Sequence, residues 1–395
     1  DRLQQSTENG LGLNLYVDGR FGSFSTNRLD KKELETLITN GIESTRYLAV
    51  DESRMLADPA RYYKGGKPDL QLFDKKLYEV NPDDKVAIAR AAAEEVLGKD
   101  ERIISVDSSY SDGEGSSYRL ISNGFEGESK STWFSVSASV SIKGEGEARP
   151  QDYWYDSALF YDKLTKAGIG AKALERVLRK LGQKKAKSGK YTMVVDPMNV
   201  GNLLSPMLSA LYGSALQQKN SFLMDKLDTK VASDLFTLRD EPHAIGANGS
   251  RYFDNEGVAT EPRTVFDKGV LKTYFIDTYN GKKMDIAPTI SAPSRLILTP
   301  GDKDLNGLVA DIKQGILVTG FNGGNSNSST GDFSYGIEGF LIEDGKLTQP
   351  VNEMNVTGNM VTLWNSLVAV GNDPQPNRSW QIPSLVFEGV DFSGL

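Results

Sequence analysis

There is no cysteine in these 395 residues, and the one histidine is His243. Without thiols the chain has neither disulfides nor thiolate metal sites, a composition that fits a reducing cytoplasm. One imidazole cannot build a zinc site of two or three histidines, and it leaves a serine-based triad a single possible base. No run approaches the roughly 20 apolar residues of a membrane helix; the longest, such as LVAV at 367–370, are strand-sized. Positive charge is also short: the net charge is −8 and the pI about 5.1. Phosphate backbones are held by clustered Lys and Arg. The one basic cluster, RKLGQKKAKSGK at 179–190, has no interleaved aromatics and reads as a solvated helix end and loop. This argues against direct nucleic-acid binding. Neither a P-loop, nor G-x-G-x-x-G between strand and helix, nor G-x-S-x-G at a strand-to-helix turn is present. The sequence opens at Asp1 rather than methionine, so it does not speak to a leader peptide.

The length exceeds one ordinary hydrophobic core and predicts two or three domains. Residues 11–29 alternate and turn at Asp18-Gly19, a hairpin signal, and Asp30 caps a helix with Leu34, Leu37, Ile38 and Ile42 on one face. Residues 58–75, rich in Pro, Gly and Lys, read as a linker. Asn81-Pro82 opens a helix ended by Gly98. Three short strands follow, with turns at Asp112-Gly113, Asn123-Gly124 and Lys143-Gly144, then a helix at 168–181. From 191 the pattern is a strand, a helix and many Gly-punctuated strands, with hairpins at Lys268-Gly269 and Asp344-Gly345. The expected fold class is α+β: an α/β N-terminal region with mixed sheets, then a β-rich C-terminal domain. The boundaries are 1–75 (β-β-α), 76–190 (α-β-β-β-α) and 191–395.

Three stretches invite chemistry. FNGGNSNSSTGDFSYGIEG at 321–339 reads as a long loop of backbone amides, hydroxyls and carboxamides with little bulk, suited to close approach of a peptide. Its peptide-binding candidates are Asn322, Gly323, Gly324, Asp332 and Ser334. FDNEG at 253–257 sets Asp254 beside Glu256; paired carboxylates can act as acid and base or bind calcium, but a turn between strands explains them as well. NLLSPMLSALYGSA at 202–215 carries Leu203, Leu204, Met207, Leu208, Leu211, Tyr212 and Ala215 on one helical stripe, yet contains Ser205-Pro206 and no acid, base or strong metal ligand. Its leucines should pack against a sheet.

Several stretches together resemble the TldD/PmbA family, known also as "modulator of DNA gyrase": LGLNLYVDGRFGSFSTN, NGFEGESKS, NSFLMDKLDTKVASDLFTLRDEP, FDNEGVATEP, GVLKTYFIDTYNGKKM, TGDFSYGIEGFLIEDGKLTQPVNEMNVTGN and AVGNDPQPNRSWQIPSLVFEGVDFSG. The resemblance runs almost end to end. It implies a zinc-peptidase relationship with two branches. The TldD branch carries H-E-x-x-x-H on a helix and a C-terminal cysteine ligand; the TldE or PmbA branch lacks them and pairs with TldD to degrade or mature peptides. Here the motif falls on Ser205-Pro206-Met207-Leu208-Ser209-Ala210. The histidine positions are Ser205 and Ala210, and the base position is Pro206. The resemblance therefore implies a chain with no catalytic residues, metal or cofactor of its own, and zinc only in a TldD-like catalytic partner. It also implies a peptide substrate and a homodimer when the chain is produced alone. Pro206 would either kink a helix begun near Pro197 or sit at N1 behind a Ser205 cap. The alternatives are an independent hydrolase using Asp254, Glu256, Asp332 or His243, and a regulator binding DNA gyrase.

Overall fold

The computed structural model describes residues 2–395; Asp1, the first residue of the 1–75 region, lies outside them. Asp18 and Gly19 both take positive φ, 51° and 72°, which turns β1 (Leu11–Val17) tightly into β2 (Arg20–Thr26) with Val17 opposite Arg20. Asp30 Oδ1 accepts the Glu33 N–H at 3.1 Å and starts α1 (Lys31–Thr45). The 58–75 segment has little regular structure, but it is pinned. Tyr62 and Leu70 are buried. Tyr63 donates its N–H to Gly257 O at 3.0 Å, and Gly246 donates to Leu70 O at 2.7 Å.

Asn81 caps α2 (Pro82–Glu94), which leads into β3 (Ile103–Ile121), β4 (Phe125–Ile142), β5 (Gln151–Ala158) and α3 (Ile169–Leu178). In place of three short strands, β3 and β4 run 19 and 18 residues. Asn123-Gly124 turns the chain and Lys143-Gly144 enters a longer connection, but Asp112-Gly113 lies within β3, opposite Phe134 and Trp133. That Asp-Gly pair serves packing. Asp112 binds Lys85 Nζ at 2.7 Å, and a Cβ on Gly113 would stand 2.9 Å from the Trp133 ring. Phe134, Val136, Ala138, Val140 and Ile142 face α2 and α3 in one core cluster, while the intervening serines face out, the period of two that the sequence shows.

The third region begins with β6 (Gly189–Val195), α4 (Gly201–Ser209) and α5 (Gly213–Gln217). β7 (Leu238–Asp240), β8 (Arg263–Asp267), β9 (Val270–Leu271), α6 (Thr278–Met284), β10 (Leu296–Leu298) and α7 (Leu305–Ala310) follow. The last elements are β11 (Gln314–Ser326), β12 (Asp332–Glu343), β13 (Lys346–Asn359), α8 (Met360–Asn365), β14 (Leu367–Val370), β15 (Trp380–Gln381) and β16 (Leu385–Ser393). One sheet runs β13-β12-β11-β6-β16-β14, and β13 pairs back to β16, with Val356 opposite Phe392. Five strands thus close a ring through three residue pairs at Asn355–Thr357, with β14 left as an edge on β16. A second sheet runs β15-β10-β7-β8-β9. The parallel pairs, β6–β11 and β10–β15, both lie in this β-rich region. Lys268-Gly269 and Asp344-Gly345 make its hairpins, with φ of 47° and 76° at each pair. Trp364 of α8 lies fully buried in the main core, with Met193, Ile316 and Phe387 in the same cluster.

Candidate functional site

The α4 helix carries the leucine stripe inward: Leu203, Leu204, Met207, Leu208 and Leu211 are all buried in the main core. The predicted helix to 215 is two. Tyr212 is extended (φ −74°, ψ 141°) and bridges Phe275, and the Gly213 N–H reaches Phe275 O at 2.8 Å, so α5 restarts in a new direction. Pro206 does not sit at N1 behind a Ser205 cap. The helix begins at Gly201, leaving Pro206 inside it and Ser205 no cap. Five residues on an α-helix separate two side chains by about 140°, and here Ser205 is exposed while Ala210 is buried. Ala210 O is taken by Ser221 Oγ at 2.6 Å. A hydroxyl, a proline ring and a methyl group facing different surroundings do not fit a zinc ion. Among the described residues no three of His, Cys, Asp and Glu come together so as to hold a metal.

The 321–339 stretch is a hairpin rather than a loop. β11 and β12 carry most of it and only 327–331 turn. Asn322, Gly323 and Gly324 form an exposed bulge where the register shifts between Phe321 and Gly324. Gly323 and Gly324 have φ of 72° and 96°, and a Cβ on Gly324 would sit 2.1 Å from Ser334 O, so this bulge requires glycine. The bulge therefore lies against Ser334. Asp332 stands apart near the tip, accepting from Asn359 Nδ2 at 3.0 Å and Thr330 Oγ1 at 2.7 Å. Those two bonds hold its carboxyl below the ordinary range.

The FDNEG carboxylates hold the backbone. Asp254 is buried; its Oδ1 accepts the N–H of Glu256 at 2.9 Å and of Val258 at 3.0 Å, and its Oδ2 that of Ser291 at 3.0 Å. Glu256 Oε2 takes the N–H and hydroxyl of Thr278, the first residue of α6, each at 3.0 Å. Burial pushes the Glu256 carboxyl up. His243 Nε2 lies 3.1 Å from Thr260 Oγ1. Burial, then the nearby charge of Lys67, lowers its pKa below the ordinary 6.5. The unfolded chain therefore takes the proton first. The stability involved is complete above about 6.5 and is lost as pH falls toward the folded-state value. We expect the thermal midpoint to fall between pH 7 and pH 5.5, and to fall less in His243→Gln; equal falls would remove His243 as the titrating group.

One cluster had escaped the sequence reading. Lys180, which the sequence places in a solvated basic run, is 8% exposed. Its Nζ reaches Glu338 of β12 at 2.7 Å and Asp152 of β5 at 3.2 Å, and Arg176 reaches Asp152 at 3.2 Å and Asp196 at 3.8 Å. Asp152, Arg176, Lys180 and Asp196 line a cavity of about 340 Å³ between α3 and the strand ring. The cluster's only linear trace is the i,i+4 spacing of Arg176 and Lys180; Asp152, Asp196 and Glu338 join them through the fold.

Two family models match in succession: the PmbA/TldA metallopeptidase central domain over residues 75–181 and the PmbA/TldA metallopeptidase C-terminal domain over 188–394. A curated Haemophilus influenzae protein named Metalloprotease PmbA homolog is 28% identical over 402 residues, spanning 100% of this chain and 88% of its own. A crystal structure from Bacteroides thetaiotaomicron, named as a candidate modulator of DNA gyrase, is 73% identical with a TM-score of 0.99, covering 100% of this chain and 90% of that one. TldE from Thermococcus kodakarensis shares the fold at 22% identity and a TM-score of 0.79, over 95% of this chain and 88% of its own. On the two successive matches, which together run from residue 75 to 394, this chain belongs to the TldD/PmbA family of metallopeptidase-related proteins.

Proposed function

We propose that this chain is the TldE/PmbA-like, non-catalytic member of a cytoplasmic peptidase pair, completing the peptide cavity of a TldD-like zinc subunit. The observation that carries this is α4. Its stripe packs the core, while the positions matched to H-E-x-x-x-H hold Ser205, Pro206 and Ala210, one exposed and one buried. Zinc hydrolysis needs three protein ligands, a bound water and a base, and these residues supply neither ligand nor base. The exposed ribbon of β11 and β12, with Asn322, Gly323, Gly324, Asp332 and Ser334, is the surface offered to peptide. The regions 1–75, 76–190 and 191–395 serve as its three units. Produced alone, the chain pairs with itself through an interface of more than about 1,000 Å².

The test is a peptide digest with zinc in three samples: this chain, an H-E-x-x-x-H partner, and both. The chain alone is expected to cleave nothing above background, and the mixture to cleave faster or more selectively than the partner alone. Shortening the 327–331 tip should lower turnover of the mixture about tenfold or more, as misplaced substrate does, with zinc content unchanged. Zinc-dependent cleavage by the chain alone, lost in His243→Gln but not in Ser205→Ala, would establish an independent hydrolase instead. Gyrase binding with no effect on the digest would establish the regulator.

A further inference from the structure

β4 is a partly unpartnered strand. It pairs with β3 from Phe125 to Ile142, but with β5 only from Phe134 to Ser141. Just beyond that junction the Thr132 N–H crosses to Leu72 O at 3.0 Å. Backbone amides in an antiparallel strand point alternately to its two edges. Glu128 and Lys130 therefore turn their N–H and C=O groups to the same side as Thr132. Both residues are exposed, and among the described residues no strand pairs with that side of them.

This edge opens on a cavity of about 430 Å³ lined in part by Lys67, Arg119, Glu128 and Lys130. A second cavity of about 380 Å³ shares Leu72, Ser129, Lys130, Ser250 and Arg251 with it, so the two form one trough. The far wall is residues 250–255, where Tyr252 stacks on Tyr63 at 5.2 Å. The charges are unevenly engaged. Among the described residues Lys67 has no carboxylate in salt-bridge range and lies 5.4 Å over the Tyr252 ring. Arg119 donates to Asn255 O at 2.5 Å and likewise has no carboxylate partner. Of the trough's three acids, Asp254 is held by three backbone amides, Asp69 caps the Gln71 N–H at 2.9 Å, and Glu128 is exposed on β4 and opposes an acidic ligand. The trough thus sets Lys67 and Arg119, neither facing an acid among the described residues, beside open backbone amides.

We propose that the trough binds an extended acidic segment of a partner polypeptide, which adds as a strand to β4 at Glu128–Lys130 and directs its carboxylates to Lys67 and Arg119. Backbone bonds supply affinity in such strand addition, and the alternating side chains supply selectivity. Leu72 already makes one bond of this kind at the end of the trough. The inference does not rest on the reading of α4.

The test is fluorescence anisotropy on the full chain with a labelled seven-residue peptide alternating Val and Glu. It should bind saturably and more weakly in high salt. The Val/Lys counterpart, and the Val/Glu peptide with every amide N-methylated, should each bind about tenfold or more weakly. Charge reversal in Lys67→Glu with Arg119→Glu should cost about tenfold, while Glu128→Ala should bind as well or better. Glu128→Pro removes the outward amide and leaves the β3 ladder intact, as proline is tolerated on a sheet edge. Its loss, relative to Glu128→Ala, should again be about tenfold with an unchanged melting temperature. Equal binding of the N-methylated peptide, equal binding of a DNA oligonucleotide, or Glu128→Pro matching Glu128→Ala would each overturn the proposal.

Discussion

Trp364→Ala should cost about 3–5 kcal/mol, as truncation of a fully buried aromatic does. It should lower the thermal midpoint by roughly 10 °C, read by far-ultraviolet circular dichroism. The indole is fully buried. Its ring lies 4.4 Å from Phe236 and 5.5 Å from Phe387, so it joins α8 to the second sheet through β7's flank and to the ring through β16. Among the described residues its Nε1–H has no acceptor, and an unpaired buried donor costs about 1–3 kcal/mol. Trp364→Phe keeps most of the apolar contact and removes that donor. Its loss should therefore be less than half that of the alanine variant. Equal losses would show that the indole shape, rather than buried volume, holds this junction.

Asp254→Ala should cost about 3 kcal/mol or more, because one buried and two part-buried amides lose their shared acceptor together. Asp254→Asn keeps one acceptor oxygen but presents an NH₂ where the second stood, and should fall between alanine and wild type. Hydrogen exchange would localise the effect: the amides of Glu256, Val258 and Ser291 should lose protection first. If Asp254→Ala leaves stability unchanged, the carboxylate is free of the backbone and becomes available for chemistry, which would favour the independent hydrolase.

What could be read from the sequence was whatever depends on local geometry. Asp18-Gly19 turned because both residues accept positive φ, Asp30 capped because its side chain reaches three residues ahead, and the leucines of α4 are buried as their period requires. The errors came where a local signal answered to a distant neighbour. Asp112-Gly113 carries the composition of a turn, but Lys85 and Trp133 hold it in a strand. The glycines at 323 and 324 read as a loose loop, whereas Gly324 relieves a close approach to β12 and Gly323 takes the positive φ of the bulge. Pro206 remained inside a helix that tertiary burial outweighs. Lys180 read as solvated because Asp152 and Glu338 lie far from it along the chain. The trough along β4 was hidden for the same reason: its far wall comes from residues 250–255, more than a hundred positions downstream.

The closed ring of five strands also sets a clock. β6 ends at Val195; its neighbour β11 begins at Gln314, and its other neighbour β16 begins at Leu385. A ribosome adding about 5–20 residues per second needs on the order of ten seconds to deliver the first of these, and longer for the second. For that interval Met193, Val194 and Val195, fully buried in the finished protein, have no strand to pair with. The nascent chain then presents an apolar strand with two open edges, the state most exposed to misassociation. Holdase chaperones should therefore engage translation intermediates stalled between residues 200 and 310 more than those stalled after β16, and cells short of such chaperones should lose this protein chiefly during its synthesis.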